Sequence, residues 1–237
     1  MTFTFNRLTL LVILSSVLLA TVVNASSYSV CFEEWNPYAY VDEKGKWRGT
    51  SVDTIRQALR SKNIDVEFHQ MPHSRCTALV KNKEIDFALH VDESDSLFLI
   101  QYPVAEWALT FVIKQDNTKT YQELIAAEES NILISRDYVY PKQLLSKLAK
   151  TPLKTTKTSF NTASPEEIKR FFAILLSGRV DGILIDKTWA DIMIERYEFA
   201  AQTYEQIFHH EVQFIGYHAD RKYKASILEK AIKGLKQ

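Results

Sequence analysis

The strongest constraint on this chain is a succession of short apolar strands and amphipathic helices that runs once from residue 27 and begins again near residue 120. SYSVCFE reads as a buried strand, SVDTIRQALRSK as a helix with one apolar face, DVEFHQM as a strand, SRCTALVKNK as a helix and EIDFALHV as a strand. EWALTFVIKQD reads as a long strand leaving this unit. The alternation then resumes with TYQELIAAEE (helix), NILISRD (strand), YPKQLLSKLAK (helix), LKTTKTS (strand), SPEEIKRFFAILLSGR (helix), VDGILID (strand) and KTWADIMIERYEF (helix). EVQFIGYHA is a further strand, and YKASILEKAIKGLK a closing helix. Strands separated by helices pair in parallel and are covered on their faces, so the expected class is α/β.

Local signals agree. Ser164 stands as a helix cap, with Pro165 at the first helical position and Glu167 placed for a capping box. Lys44 and Gly45 mark a hairpin turn. NKEIDFALHV and SGRVDGILID share a helix end, an apolar residue, an aspartate and a buried strand, which puts Asp86 and Asp181 at equivalent points. An echo this short belongs to many α/β units. No Pro/Ser/Gly-rich linker divides the two halves, so they are expected to be lobes joined by strands rather than domains on a tether.

The first 25 residues differ in kind. MTFTFNR carries one cation, LTLLVILSSVLLATVV is continuously apolar, and small residues precede a cut after Ala25, the pattern of a cleaved signal peptide and hence of a periplasmic protein. The whole chain holds 29 Lys and Arg against 29 Asp and Glu; loss of Arg7 with the leader leaves 28 against 29, a net charge of −1. Such a balance offers nucleic acid no electrostatic footing. The two cysteines, Cys31 and Cys76, can pair in only one way in an oxidising compartment. A disulfide is the expectation, with two buried thiols as the alternative.

The segments WNPYAYVDEKGKWRGTSVD, SRCTALVKNKEIDFALHV, YPVAEWALTFVIK and SGRVDGILIDKTWADIM, in that order after a leader, resemble the periplasmic solute-binding proteins of the polar-amino-acid type, family 3. The resemblance spans roughly residues 29 to 195. It implies a two-lobed type II periplasmic-binding fold, with residues 26–113 plus 213–237 as one lobe and 114–212 as the other. Two crossover strands would join the lobes, and a cleft between them would hold a small ligand. It also implies a monomer working with an inner-membrane ABC permease or a sensor protein, and no cofactor.

Several residues are candidates for the cleft. Trp35 and Tyr38 flank Pro37 after the first strand and can wall a planar or apolar part of a ligand; such aromatics are as often core. Asp186 ends the strand VDGILID, where the family commonly holds a ligand's ammonium; it is equally suited to cap the following helix. Arg136 follows NILIS ahead of a helix and is a candidate anion contact or an exposed cation; Arg75 opens another helix and either points into the cleft or pairs with nearby acids. His90, Trp107 and Thr110 complete the set.

One departure stands out. The family usually places an arginine after the third strand to grip a carboxylate in two-pronged fashion. Here that loop reads HVDESDSLFLI, with Ser94 or Asp95 at the arginine's place. Asp92, Glu93 and Asp95 would repel an anion unless Arg75 or Arg136 offset them, so either the ligand is not a conventional α-amino acid or its carboxylate is bound elsewhere; a cationic or neutral solute suits the local charge better.

Motifs for nucleophilic, phosphate-binding or zinc-hydrolase chemistry do not occur in the sequence. Pro72 separates His69 from His73, and His209 and His210 would point apart on a strand, so no metal is expected. A dehydratase using Glu34, His90 and Asp186 as acid and base is the enzymatic alternative; a sensory module of the same fold is the other.

Overall fold

In the computed structural model, which describes residues 27–136, 138 and 140–235, both alternating segments contribute to one nine-stranded sheet. The leader assigned to residues 1–25 lies outside the described residues. The first unit comprises β1 (Ser27–Phe32), the hairpin β2 (Tyr40–Val41) and β3 (Trp47–Arg48), α1 (Thr50–Arg60), β4 (Asp65–Gln70), α2 (His73–Lys81) and β5 (Phe87–Val91). A long strand, β6 (Phe98–Lys114), leads into α3 (Tyr121–Ala126), β7 (Asn131–Ser135), α4 (Lys142–Leu148), β8 (Lys154–Thr158), α5 (Pro165–Leu176), β9 (Gly182–Asp186) and α6 (Lys187–Tyr197). A short β10 (Ala201–Thr203), a returning β11 (His209–Tyr217) and α7 (Lys222–Gly234) end the chain.

The strand order is β4-β1-β5-β11-β6-β9-β7-β8, with β10 lying along β6. It reads alike from both ends: β1 is flanked in parallel by β4 and β5, β7 is flanked in parallel by β8 and β9, and an antiparallel strand follows each trio. The paired strands β6 and β11 run between the two units and supply the crossovers.

Each unit has its own core. Val30, Phe32, Ile55, Leu59, Phe87 and Leu89 pack with Ile215, Leu228 and Ile232, so α7 returns to the first unit. Phe160, Phe171, Phe172, Ile183, Ile185 and Trp189 form a core of the second. Leu109, Phe111 and Ile113 of β6 pack with Leu124, Ile134 and Leu184. The Cys31–Cys76 disulfide forms and packs with Val80, Ala88 and Val91 in the first unit.

β6 begins at Phe98, well before the strand read from Glu106 onward, because the ladder with β11 resumes beyond an irregularity between the pairs Ala105–Gln213 and Ile100–Ile215. Pro103, which has no N–H to give, falls within that irregular stretch. Ser164 caps α5 as expected, accepting from Glu167 N at 3.3 Å. The Glu167 carboxylate, however, accepts from Asn161 N at 2.7 Å, which holds the incoming loop rather than closing a capping box. At Gly49, φ is 114° and a Cβ would lie 2.3 Å from Tyr38 O, so only glycine lets the hairpin enter α1.

Candidate functional site

The site is built where strands end. Beyond β1, Trp35 N donates to Ala39 O at 2.7 Å and Tyr38 N to Trp35 O at 2.8 Å, a tight turn that brings the two rings together at 4.7 Å. The Trp35 indole also meets the His90 ring edge-on at 5.0 Å. The Tyr38 hydroxyl donates to Glu106 O at 3.2 Å, which fastens the turn to β6.

His90, at the end of β5, has φ 58° and is buried. Its Nε2 lies 3.0 Å from Ser51 Oγ, whose own proton goes to Val104 O at 2.8 Å. A hydroxyl has one proton to give, so His90 is the donor, through an Nε2–H. Burial, with the charge of His73 adding to it, lowers its pKa to about 3, and the ring is neutral.

The acidic loop after β5 folds back on itself. Asp92 accepts from Ser94 N at 2.7 Å, and Asp95 accepts from Asp92 N at 3.0 Å, a reciprocal cap on the 3-10 turn Glu93–Asp95. Asp95 also lies 2.8 Å from Nε2 of His73, whose backbone N–H donates to Glu33 at 2.9 Å. Burial pulls the His73 pKa down, but Asp95, Glu33 and Asp92 more than offset this and hold it above its ordinary value.

Asp186, at the end of β9, supplies the other side. One carboxylate oxygen accepts from Trp189 N at 2.7 Å, capping α6, and the other from Ala108 N at 3.3 Å; the Trp35 indole N–H is also directed at it. It is 2% exposed. Burial outweighs these neutral donors and raises its pKa to about 6. Trp107 on β6 stacks on Tyr140 at 5.9 Å and meets Tyr138 at 6.0 Å. Thr162, from the loop before α5, donates to Glu34 O at 3.0 Å, and so joins the second unit to the first across the cleft. Glu34 accepts from Gln70 at 2.9 Å, and burial raises its pKa against the lowering effect of Gln70 and Arg196.

The cavity these groups enclose has a volume of about 110 Å³. Of the sequence candidates, Trp35, His90, Trp107 and Asp186 line it, and Tyr38 stands immediately behind Trp35 and His90. Thr110 does not reach it: the side chain is fully buried on the other side of β6, its hydroxyl against Tyr204 O at 3.0 Å and Gln206 O at 2.8 Å. Arg75 and Arg136 are exposed and outside the lining, since the residues beside each in sequence, Cys76 and Ser135, take the buried positions. Asp186 both caps α6 and lines the cavity.

Sequence reasoning passed over Tyr138, Thr162 and Gln213 as lining residues. Gln213 had a signal, a polar residue inside the apolar run EVQFIG that is 5% exposed in the fold. Tyr138 and Thr162 lie in loops between elements, where no periodicity marks a buried face. His69 stays on β4 while His73 opens α2, and among the described residues no group of three or more His, Cys, Asp or Glu is arranged to hold a metal.

Two α/β units joined by a pair of crossover strands, with a cavity at the C-terminal ends of parallel strands, define a type II periplasmic-binding fold. The chain belongs to the bacterial extracellular solute-binding proteins, family 3, whose model matches residues 28–237. Among solved structures it is similar to the probable amino-acid ABC transporter extracellular-binding protein ytmK of Bacillus subtilis, with TM-score 0.73, 13% identity, and 89% of this chain and 92% of that one covered. It is similar to holo ArgBP from T. maritima, with TM-score 0.67, 16% identity, and 90% and 91% covered. The ancestral amino acid-binding protein AncCDT-1, a precursor of cyclohexadienyl dehydratase, matches with TM-score 0.66, 14% identity, and 89% of each chain covered. No curated protein matches in sequence. Among the described residues no helix is long and apolar enough to cross a membrane.

Proposed function

We propose that the protein captures a small polar solute, an amino acid or a related compound, in the periplasm and presents the closed form to an inner-membrane ABC permease. The observation that carries this reading is a single small cavity lined from both units, by Trp35, His90 and Asp92 on one side and Tyr138, Thr162 and Asp186 on the other. A solute that touches both units favours the closed form by its extra contacts there. β6 and β11, the paired strands running between the units, are the natural place for the bending. A cavity of about 110 Å³ suits a small molecule rather than a peptide or a polymer.

The test is a thermal-shift screen of the purified protein against amino acids, amines, sugars and small acids. A bound solute raises the melting temperature with concentration by mass action, and small-angle scattering should report contraction on binding. A screen without a single concentration-dependent shift refutes solute capture.

A second reading rests on Glu34, His90 and Asp186 lining one cavity, with burial raising the pKa of both carboxyls. A carboxyl with a raised pKa beside a neutral imidazole is placed for proton transfer in a dehydration. Product formed from a cyclic hydroxy acid, and lost in Glu34→Gln, would decide for it.

A further inference from the structure

We propose that the solute taken by this cleft is an organic cation without a carboxylate, an amine or a guanidinium rather than an α-amino acid. The inference rests on the solute-capture reading above and names the chemical class that the same cavity accepts.

The first ground is the charge of the lining. Among the described residues, Glu33, Glu34, Asp92, Asp95 and Asp186 line the cavity, and no lysine or arginine does. The arginines that could have answered a carboxylate from the flanking loops, Arg75 and Arg136, are exposed and outside it. His73 is the one lining base whose pKa is raised, and its ring is already paired with Asp95 at 2.8 Å.

The second ground is independent of net charge and concerns donors. A loop lacking an arginine can still hold an anion on its backbone N–H groups. In this loop Ser94 N is taken by the Asp92 carboxylate at 2.7 Å and Asp92 N by the Asp95 carboxylate at 3.0 Å. The protein's own side chains therefore occupy donors that a ligand carboxylate would need. A carboxylate placed here would lose its hydration, find these amides occupied, and face like charges at short range.

The opposite side of the cavity is made for a cation. Asp186 is 2% exposed, and its hydrogen bonds come from Trp189 N, Ala108 N and the Trp35 indole, all neutral. A buried carboxylate with neutral donors alone gains most from a positive group brought in by the ligand. Trp35, Trp107 and Tyr138 add ring surface around it, the setting in which an ammonium or guanidinium is attracted by aromatic faces.

The experiment compares matched pairs by calorimetry on the purified protein at low salt: agmatine with arginine, cadaverine with lysine, tyramine with tyrosine. The expected result is at least one pair in which the decarboxylated member binds ten-fold or more tightly than the amino acid. Asp186→Asn, whose amide oxygen can still cap α6, should weaken that binding ten-fold or more while the ligand-free melting temperature does not fall. Equal or tighter binding of the amino acid in every pair that binds overturns the proposal, as does unchanged affinity in the Asn variant. Binding of a neutral or acidic solute in the wider screen, with none of the amines bound, overturns the cation assignment and leaves solute capture standing. No binding by any solute overturns both.

Discussion

Asp86 and Asp181 stand at the same point of the two units, one residue before β5 and β9. Each accepts the backbone N–H of the neighbouring strand, Ser29 N at 3.1 Å and Asn131 N at 2.8 Å. The short echo between NKEIDFALHV and SGRVDGILID thus marks a shared device: a carboxylate that holds the start of two parallel strands in register. Beyond this the units diverge. Asp86 is buried and pairs with Lys224 at 2.6 Å, and Arg221 Nε lies 2.9 Å away without hydrogen-bond geometry, a coulombic contact that ties the returning C-terminal segment to the first unit. Asp181 is half-buried.

At the C-terminal ends of the strands the contrast is wider. The first unit sends out a disulfide, an aromatic turn and a loop of acids satisfied by local N–H groups and His73; the second places Asp186, whose donors are all neutral. The strand starts of the two units hold the sheet, and the strand ends hold the cavity, as open α/β sheets generally arrange.

The largest effect is expected at the disulfide. Cys31 and Cys76 are 45 residues apart, and releasing such a loop in the unfolded chain costs about 4 kcal/mol on the chain-entropy model. Urea unfolding of the Cys31→Ala/Cys76→Ala variant should show the first unit destabilised by that order, with Trp189 fluorescence in the second unit less affected. Next, Asp86→Ala should cost about 3 kcal/mol by chemical denaturation, because two partly buried cations lose their counter-charge and a backbone donor its acceptor together.

Asp186 should act in the opposite direction. Its folded pKa of about 6 lies above the ordinary 3.8, so the folded chain holds a proton that the unfolded chain has released at intermediate pH. Its contribution is most favourable below about pH 4, declines as pH rises through 6, and is flat above. At pH 7 Asp186→Asn should therefore raise ligand-free stability, by roughly 2 to 3 kcal/mol, and the gain should shrink towards pH 4. Denaturation at both pH values checks this, and equal behaviour at both removes the buried charge from the account. The smallest effect is expected at Asp181→Ala, about 1 kcal/mol, for one hydrogen bond at a half-buried position. A loss there as large as at Asp86 would mean that the pairing with α7 and its approach contributes little.

The alternation of periods was enough to read the α/β class and most elements, since burying one face of a helix or both faces of a strand leaves a local pattern. β10, with only Ala201–Thr203, and the Pro103-containing part of β6 leave no such pattern, because their pairing is decided by a distant partner. Of the residues lining the cavity, Trp35, His90, Trp107 and Asp186 were legible because strand ends carry the cleft. Thr110 lies off the lining because neighbouring positions of a strand face opposite ways, and the residue that lines the cavity from β6 is Trp107. Arg75 and Arg136 lie off the lining for a related reason: beside each, the neighbouring residue takes the buried position.

The sequence by itself therefore determined the two units, the family resemblance, the single possible cysteine pairing, the absence of the usual arginine and the odd charge of the loop at Asp92–Asp95. All of these are written in local periodicity and in which residue types are present. Only the tertiary structure decided that the loop's own carboxylates occupy its backbone donors, that His90 is a neutral donor to Ser51, and that Asp186 is buried with neutral donors alone. Those outcomes depend on which groups meet across long sequence separations and on how much water is left beside them, and neither quantity is carried by the order of residues along the chain.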